Sequence, residues 1–286
     1  MSDSVVVRPA TLRDVAGIRE IHANCEDPWA DATQCALWTN HRLVRRFLID
    51  VAVVDGVIAG HAEWIVSDEP PPYGRHLYLG MIQIHRDYQR RGIGRAMVER
   101  GMLRAEDRHC PALRTVPEDE AKGFYRSCGF SPILTTESFT IEVTPKPLPA
   151  GWRRLSATPR RTVRTLPMRW GWVQGSSAHM WELCNRPVRI AGDPVRCPCA
   201  GRTDGRAYVQ LIHCGTSPEA LAVAWATREE PREEIVSAAM DLAHALSVRR
   251  LAVTRLKDEA NPLTPYSGVQ HVGTAEVWSR DVARKP

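Results

Sequence analysis

Apolar positions along this chain switch between the spacing of strands and the spacing of helices. Val5–Arg8 is a short apolar run that predicts a strand. From about Leu12 to Asn24, Val15, Ile18 and Ile21 recur at three-residue steps, which places them on one face of a helix. Trp38 to Phe47 predicts a second, shorter helix. Val51–Trp64 reads as two strand-like runs around Asp55-Gly56, a two-residue hairpin turn. Pro70-Pro71-Pro72 then forces an extended loop. Leu77–Ile84 has the apolar, aromatic and β-branched content of a buried strand. After it, Ala96, Met97, Val98, Met102 and Leu103 stand among Arg95, Glu99, Arg100 and Arg104, so a one-faced helix is predicted from about Gly94 to Arg108. Ala112–Val116 predicts a strand, residues 119–127 a helix, and Phe139–Val143 a further strand.

Thr144–Gly151 breaks this pattern, because Pro145, Pro147 and Pro149 cannot sit inside a helix or a central strand. The chain therefore divides into residues 1–144, a proline-rich linker 145–151, and residues 152–286. In the last part, Tyr208–His213 and Leu221–Thr227 predict strands around a Gly215–Pro218 turn. Glu233–Val248 predicts a helix with Ile235, Val236, Ala239, Leu242, Ala243 and Leu246 inward. Leu251–Arg255 and Gly273–Arg280 predict two more strands.

A length of 286 residues suits two domains. No apolar run approaches the roughly 18 residues of a membrane helix, and no charged-then-apolar leader precedes Val5, so a cytoplasmic location is expected. Eight irregularly spaced cysteines read as free thiols of a reduced compartment. The net charge of +5 is uneven: residues 1–150 hold 18 basic and 20 acidic side chains, residues 151–286 hold 20 and 13. The arginines of the basic part are scattered without an aromatic-interleaved stripe, which favours a solvated surface over a nucleic-acid interface.

The sharpest chemical feature is Gln89-Arg90-Arg91-Gly92-Ile93-Gly94, set between a predicted strand and a predicted helix. The unpaired N–H groups of a first helical turn, a basic glycine turn and Arg95 together make an anion site, suited to a pyrophosphate. The lysine-ended phosphate loop is absent, and Met97 stands where a dinucleotide fingerprint needs its third glycine.

Residues 89–94 resemble the Q/R-x-x-G-x-G/A signature of the GCN5-related N-acetyltransferases (GNAT family). Two further elements carry the resemblance, in the family's order. Ala121–Phe130 (AKGFYRSCGF) is similar to the family's A-x-x-[LF]-Y-x-x-x-G-F helix, and Val6–Asp14 to its opening strand and helix start. The resemblance spans about residues 5–143. It implies a mixed α/β sheet, the acyl-CoA N-acyltransferase fold, and acetyl-coenzyme A as acyl donor. It implies that Ile82 and Ile84 contact the pantetheine arm through the main chain, and that Gln89, Arg90, Arg91, Gly92, Ile93, Gly94 and Arg95 hold the pyrophosphate. It also implies Tyr125 as the acid that protonates the leaving thiolate, and Glu63 as the base, with His61 and His85 next in line. Two positions depart from the family: Arg86 stands where proline is common, and Pro117–Glu120 lacks a cofactor-binding asparagine.

The expected acceptor is a small-molecule primary amine, with a protein amine as the alternative, and a non-catalytic acyl-CoA sensor as a different class. Glu26, Asp27, Asp31, Asp68 and Glu69, with Trp29, Trp38 and Tyr73, would attract a cation. A homodimer stays open. Residues 152–286 echo the strand and helix order of the first part, but the turn Arg228–Glu233 has three acids and no glycine. That turn would repel a pyrophosphate, so a degenerate GNAT-like copy without a cofactor site is expected, an unrelated α/β extension being the alternative. Cys184, Cys197, Cys199, His213 and Cys214 are close in sequence but lack the paired spacing of a zinc site, so no metal is expected.

Overall fold

The computed structural model describes residues 5–25, 42–43, 47–71, 73–171, 176–185, 195–215, 217–257, 266 and 268–282. The first half contains β1 (Val5–Pro9), α1 (Val15–Asn24), β2 (Leu48–Val54), β3 (Val57–Asp68), β4 (Arg75–Ile84), α2 (Ile93–Asp107), β5 (Ala112–Thr115), α3 (Lys122–Ser127) and β6 (Ser131–Glu142). The second contains β7 (Trp152–Leu155), α4 (Thr162–Thr165), β8 (Met168–Trp170), α5 (Ser177–Asn185), β9 (Val195–Arg196), β10 (Cys199–Arg202), β11 (Ala207–Cys214), β12 (Glu219–Ala226), α6 (Arg232–Ala245), β13 (Arg250–Leu256) and β14 (Gln270–Asp281). Most of the expected helix from Trp38 to Phe47 lies outside the described residues, as do Glu26, Asp27, Trp29, Asp31 and Trp38.

All fourteen strands join one sheet, ordered β1-β2-β3-β4-β5-β14-β6-β13-β12-β11-β10-β7, with β8 on β12 and β9 on β11. The Asp55-Gly56 hairpin forms as expected, with φ of 50° and 81° at the two turn residues. Such positive φ at both positions matches the right-handed strand twist. Each half contains one parallel pair, β4 with β5 and β12 with β13. Every other pairing in the sheet is antiparallel.

The centre of the sheet departs from the sequence expectation. Phe139–Val143 is only the end of a 12-residue strand, β6. The mixed run Ser131–Ser138 extends because β14 pairs along it and β13 joins from Thr136 on the other side. β14, the last strand of the chain, lies between β5 and β6, while β6 lies between β14 and β13. Each half thus places its long final strand beside the parallel pair of the other. The cores record the same exchange. Trp278 of β14 is buried with Leu77, Leu79, Met97 and Leu113 of the first half. Phe139 and Ile141 of β6 are buried with Val209, Ile235, Leu242 and Val253 of the second.

Candidate functional site

The first half opens along one edge of β4. Leu77 and Tyr78 pair with Leu113 and Arg114 of β5, and the pairing stops there. On the other side, Trp64 pairs with Leu79 and Glu63 with Met81, so Gly80 has no partner in β3. A glycine inside a strand marks such a bulge, where the backbone swings out of the ladder. The strand is buried from His76 through Leu79 and becomes open to solvent from Gly80 onward. Ile82 and Ile84 lie on this opened stretch, opposite Ala62 and Gly60 of β3. The Ile84 carbonyl accepts from Gln89 Nε2 at 3.1 Å and from Cys25 Sγ at 3.3 Å. Gln89 therefore uses its side chain to pin the turn onto the strand.

The turn itself is exposed from Gln89 to Gly92 and begins α2 at Ile93. Arg90 and Gly92 adopt φ of 63° and 81°. Nothing lies within 4 Å of a β-carbon placed on Gly92, so its conformation, rather than crowding, demands glycine. Gly92 caps α2 without a side chain, and the N–H groups at the start of α2 face outward with no helical partner. Arg91 stacks over Tyr88 at 5.2 Å, and Arg95 Nη2 donates to Ser127 Oγ at 3.2 Å. Gly94 faces the Phe124 ring, which a β-carbon would meet at 3.2 Å. The side chain of Ile93 is buried in the core, which leaves its main chain for the turn. An open strand edge leading to exposed amides and arginines fits an extended ligand that ends in phosphates.

Tyr125 comes to the same opening from α3. Its ring packs edge-on against Phe124 at 5.1 Å and Phe130 at 5.4 Å. Its hydroxyl is hydrogen-bonded to Thr115, the last residue of β5, whose Oγ1 donates to the Leu79 carbonyl at 3.2 Å. Burial pushes the phenol's pKa up, against the smaller opposing effect of the Thr115 bond. The group therefore stays protonated at neutral pH.

Glu63 lies beneath the bulge and is 1% exposed. Its carboxylate forms an ion pair with Arg42 and stands 3.5 Å from His61 Nε2. His61 is fully buried, meets the His22 ring at 5.1 Å, and has a pKa held well below the usual imidazole value by burial, then by His22 and Arg42. Burial lowers the Arg42 guanidinium to about 9, which still leaves it charged at neutral pH. Arg42 Nη2 also lies 3.2 Å from Nε2 of His179, a residue of α5. His85, the other base considered, accepts from the Asp87 N–H at 3.3 Å and meets the Tyr88 ring edge-on beside the glycine turn. Sequence reasoning missed Arg42, Gly80 and His179. Only Gly80 left a signal, a glycine inside an apolar strand.

The corresponding place in the second half is filled. β12 and β13 pair from Glu219–Arg250 to Ala222–Val253 and then part. β8 enters that gap, with Trp170 opposite Ala224, Met168 opposite Trp225, and the Gly171 N–H donating to the Thr254 carbonyl at 3.0 Å. At the start of α6, Glu230 is ion-paired with Arg202 at 2.7 Å. Glu233 and Glu234 occupy the first turn, where they satisfy the helix dipole themselves. Among the described residues no cluster of three or more His, Cys, Asp or Glu is arranged to hold a metal. No described helix is long and apolar enough to cross a membrane.

Residues 15–130 match the model of the acetyltransferase (GNAT) family. The structure of a GCN5-related N-acetyltransferase from Anabaena variabilis superposes with a TM-score of 0.69 at 12% identity, over 98% of this chain and 73% of that one. A tandem GNAT protein from the clavulanic acid biosynthesis pathway gives 0.63 at 18% identity, over 99% and 100% of the two chains. A GCN5-related N-acetyltransferase from Sphaerobacter thermophilus gives 0.56 at 15%, over 98% and 96%. A search among curated proteins finds no match. Residues 15–130 thus resemble the GNAT family in sequence, and the whole chain has the fold of GNAT structures, a tandem one among them.

Proposed function

We propose that the protein is an N-acetyltransferase that moves an acetyl group from acetyl-coenzyme A to a small-molecule primary amine, directly and within a ternary complex. The observation that carries this reading is the opened edge of β4, running from the Gly80 bulge to the exposed Gln89–Gly92 turn with Tyr125 beside it. Acetyl-coenzyme A supplies a thioester joined through an extended arm to phosphates. The main chain at Ile82 lies on the free edge, the turn amides with Arg90, Arg91 and Arg95 face the phosphates, and Gln89 with Ile84 fixes the angle between the two. The amine attacks the thioester carbonyl carbon. A C–N bond forms, the C–S bond breaks, and the sulfur takes the Tyr125 proton as it leaves. The ammonium proton passes to Glu63, with His61 at 3.5 Å as its neighbour in the same buried cluster. Residues from both halves surround this cluster, Arg42 and Glu63 from one and His179 from the other. A reaction centre built from buried side chains of both halves favours a small amine over a polypeptide.

The second half, with β8 in its parted strands and acids at the matching helix start, is proposed as a copy that no longer takes acyl-CoA. The test of the activity is mass spectrometry of a small-molecule extract incubated with acetyl-coenzyme A carrying a heavy-carbon acetyl group. Labelled amides formed by the native protein and absent with Gly92→Glu support the reading and identify the acceptor class. Binding of acetyl-coenzyme A without any labelled product would move it to a sensor, or to a protein acceptor.

A further inference from the structure

The second half meets the reaction centre through one helix. α5 is buried on its own half by Met180, Trp181 and Cys184, beside Val223 and Trp225. Its first turn, however, is fastened to the first half. The Ser177 N–H donates to Glu69 Oε1 at 2.9 Å, and the Ala178 N–H to Ser67 Oγ at 3.5 Å. Trp225 Nε1 donates to Ser177 Oγ at 2.6 Å, which ties the same turn to β12. His179 is thereby held over the bulge. A β-carbon on Gly80 would lie 3.3 Å from its Cε1 and 3.4 Å from its Nδ1. Its ring is 6.2 Å from that of Tyr78.

The tautomer follows from the neighbour. A guanidinium has only donors, so the Nε2 that lies 3.2 Å from Arg42 Nη2 must accept. Burial and the Arg42 charge keep the ring neutral, which puts the remaining proton on Nδ1. His179 is 8% exposed, and its Nδ1 has no hydrogen-bond partner among the described residues. Buried donors are rarely left without an acceptor, and those that are require an explanation. Gly80 beside it has no register partner in β3 or β5. The Nδ1–H of His179, a side chain of the second half, therefore stands beside Gly80 at the head of the opened edge.

We propose that His179, brought by the second half, donates its Nδ1–H to the carbonyl oxygen of the thioester at the Gly80 bulge. This rests on the acyl-CoA reading given above. When the amine adds to the carbonyl carbon, the π pair moves onto that oxygen. Donors fixed beforehand stabilise the charge without reorganising. When the C–S bond breaks, the pair returns to re-form the carbonyl and the sulfur leaves with the bonding pair. His179 neither gains nor loses a proton. The second half is then part of the catalytic centre of the first, which gives a half without its own cofactor site a chemical role.

The test reads the donor itself. Infrared difference spectra of acetyl-coenzyme A labelled with heavy carbon at the carbonyl are recorded on the full chain. The bound carbonyl stretch is expected to fall below its value in free solution. It should return toward the free value in His179→Phe and stay low in His179→Asn, whose amide N–H replaces Nδ1–H. In the labelled-extract assay, His179→Phe should lower the rate by roughly 100-fold and His179→Asn by much less. Should His179→Phe not fold, proton NMR of the native protein with ring-labelled histidine gives the answer alone. The Nδ1 proton must move downfield when acetyl-coenzyme A is added. A carbonyl stretch identical in the native protein and His179→Phe, or an Nδ1 proton that does not move, overturns the inference and leaves the acetyltransferase reading standing. Absence of acetyl-coenzyme A binding overturns both.

Discussion

Tyr125 owes its proposed role to the apolar contacts around it. Phe124 and Phe130 hold its ring at 5.1 Å and 5.4 Å, and burial keeps its phenol protonated. Tyr125→Phe retains the ring and loses only the hydroxyl. It is expected to lower kcat roughly 100-fold with little change in KM for acetyl-coenzyme A. Steady-state rates and a melting curve on one preparation separate this from a packing role, for which kcat would be unchanged. Glu63 is bound to Arg42 as well as placed for chemistry. If it takes the proton, Glu63→Gln lowers kcat by a similar factor while the melting temperature falls by a few degrees at most. A collapse in stability with kcat intact would make it an anchor for Arg42 instead. Nothing in the stretch His41-Arg42-Leu43-Val44 marked Arg42 as buried, because its partners, Glu63 and His179, come from distant parts of the chain.

At the scale of elements, the sequence was most legible where function depends on local conformation. The hairpin at Asp55-Gly56, the strand before the glycine turn and the helix after it all follow from nearby residues. The glycine turn carries its own signal because Gly92 must adopt a φ of 81°. β7, β8, β10 and α5 were not legible. They are short, and their burial comes from neighbours far away in sequence, such as Trp225 beneath Ser177. Their junction with the first half makes a stability prediction. Glu69 accepts from Ser177 and Ser67 at the start of α5, and burial raises its pKa from 4.5 to about 7 despite those bonds. The folded state thus holds the Glu69 proton more tightly than the unfolded one. Its contribution is complete below pH 4.5 and disappears as pH rises through 7. By linkage the loss is roughly 3 kcal/mol. Denaturant melts from pH 4.5 to 7.5 should therefore show Glu69→Gln gaining on the native protein as pH rises. Parallel curves for the two proteins would mean that Glu69 titrates normally.

At the scale of the whole molecule, the exchange of β6 and β14 binds the halves into one sheet. The proline-rich segment at 145–151 was readable as a break in pattern, but the return of the chain to fill the gap between β5 and β6 was not. Pairing partners are not encoded in the periodicity of a single strand. Residues 1–144 alone would leave β5 without β14 on one side and the core without Trp278. Expressed by themselves they should lack a cooperative thermal transition by circular dichroism. A sharp, reversible transition in that fragment would show that β14 is dispensable. The proposed function confines acyl-CoA binding to the first half, since β8 fills the parted strands of the second. Calorimetric titration of the full chain with acetyl-coenzyme A tests this most directly. One site per chain is predicted, lost in Gly92→Glu. Two sites, none, or a single site that survives Gly92→Glu would contradict it.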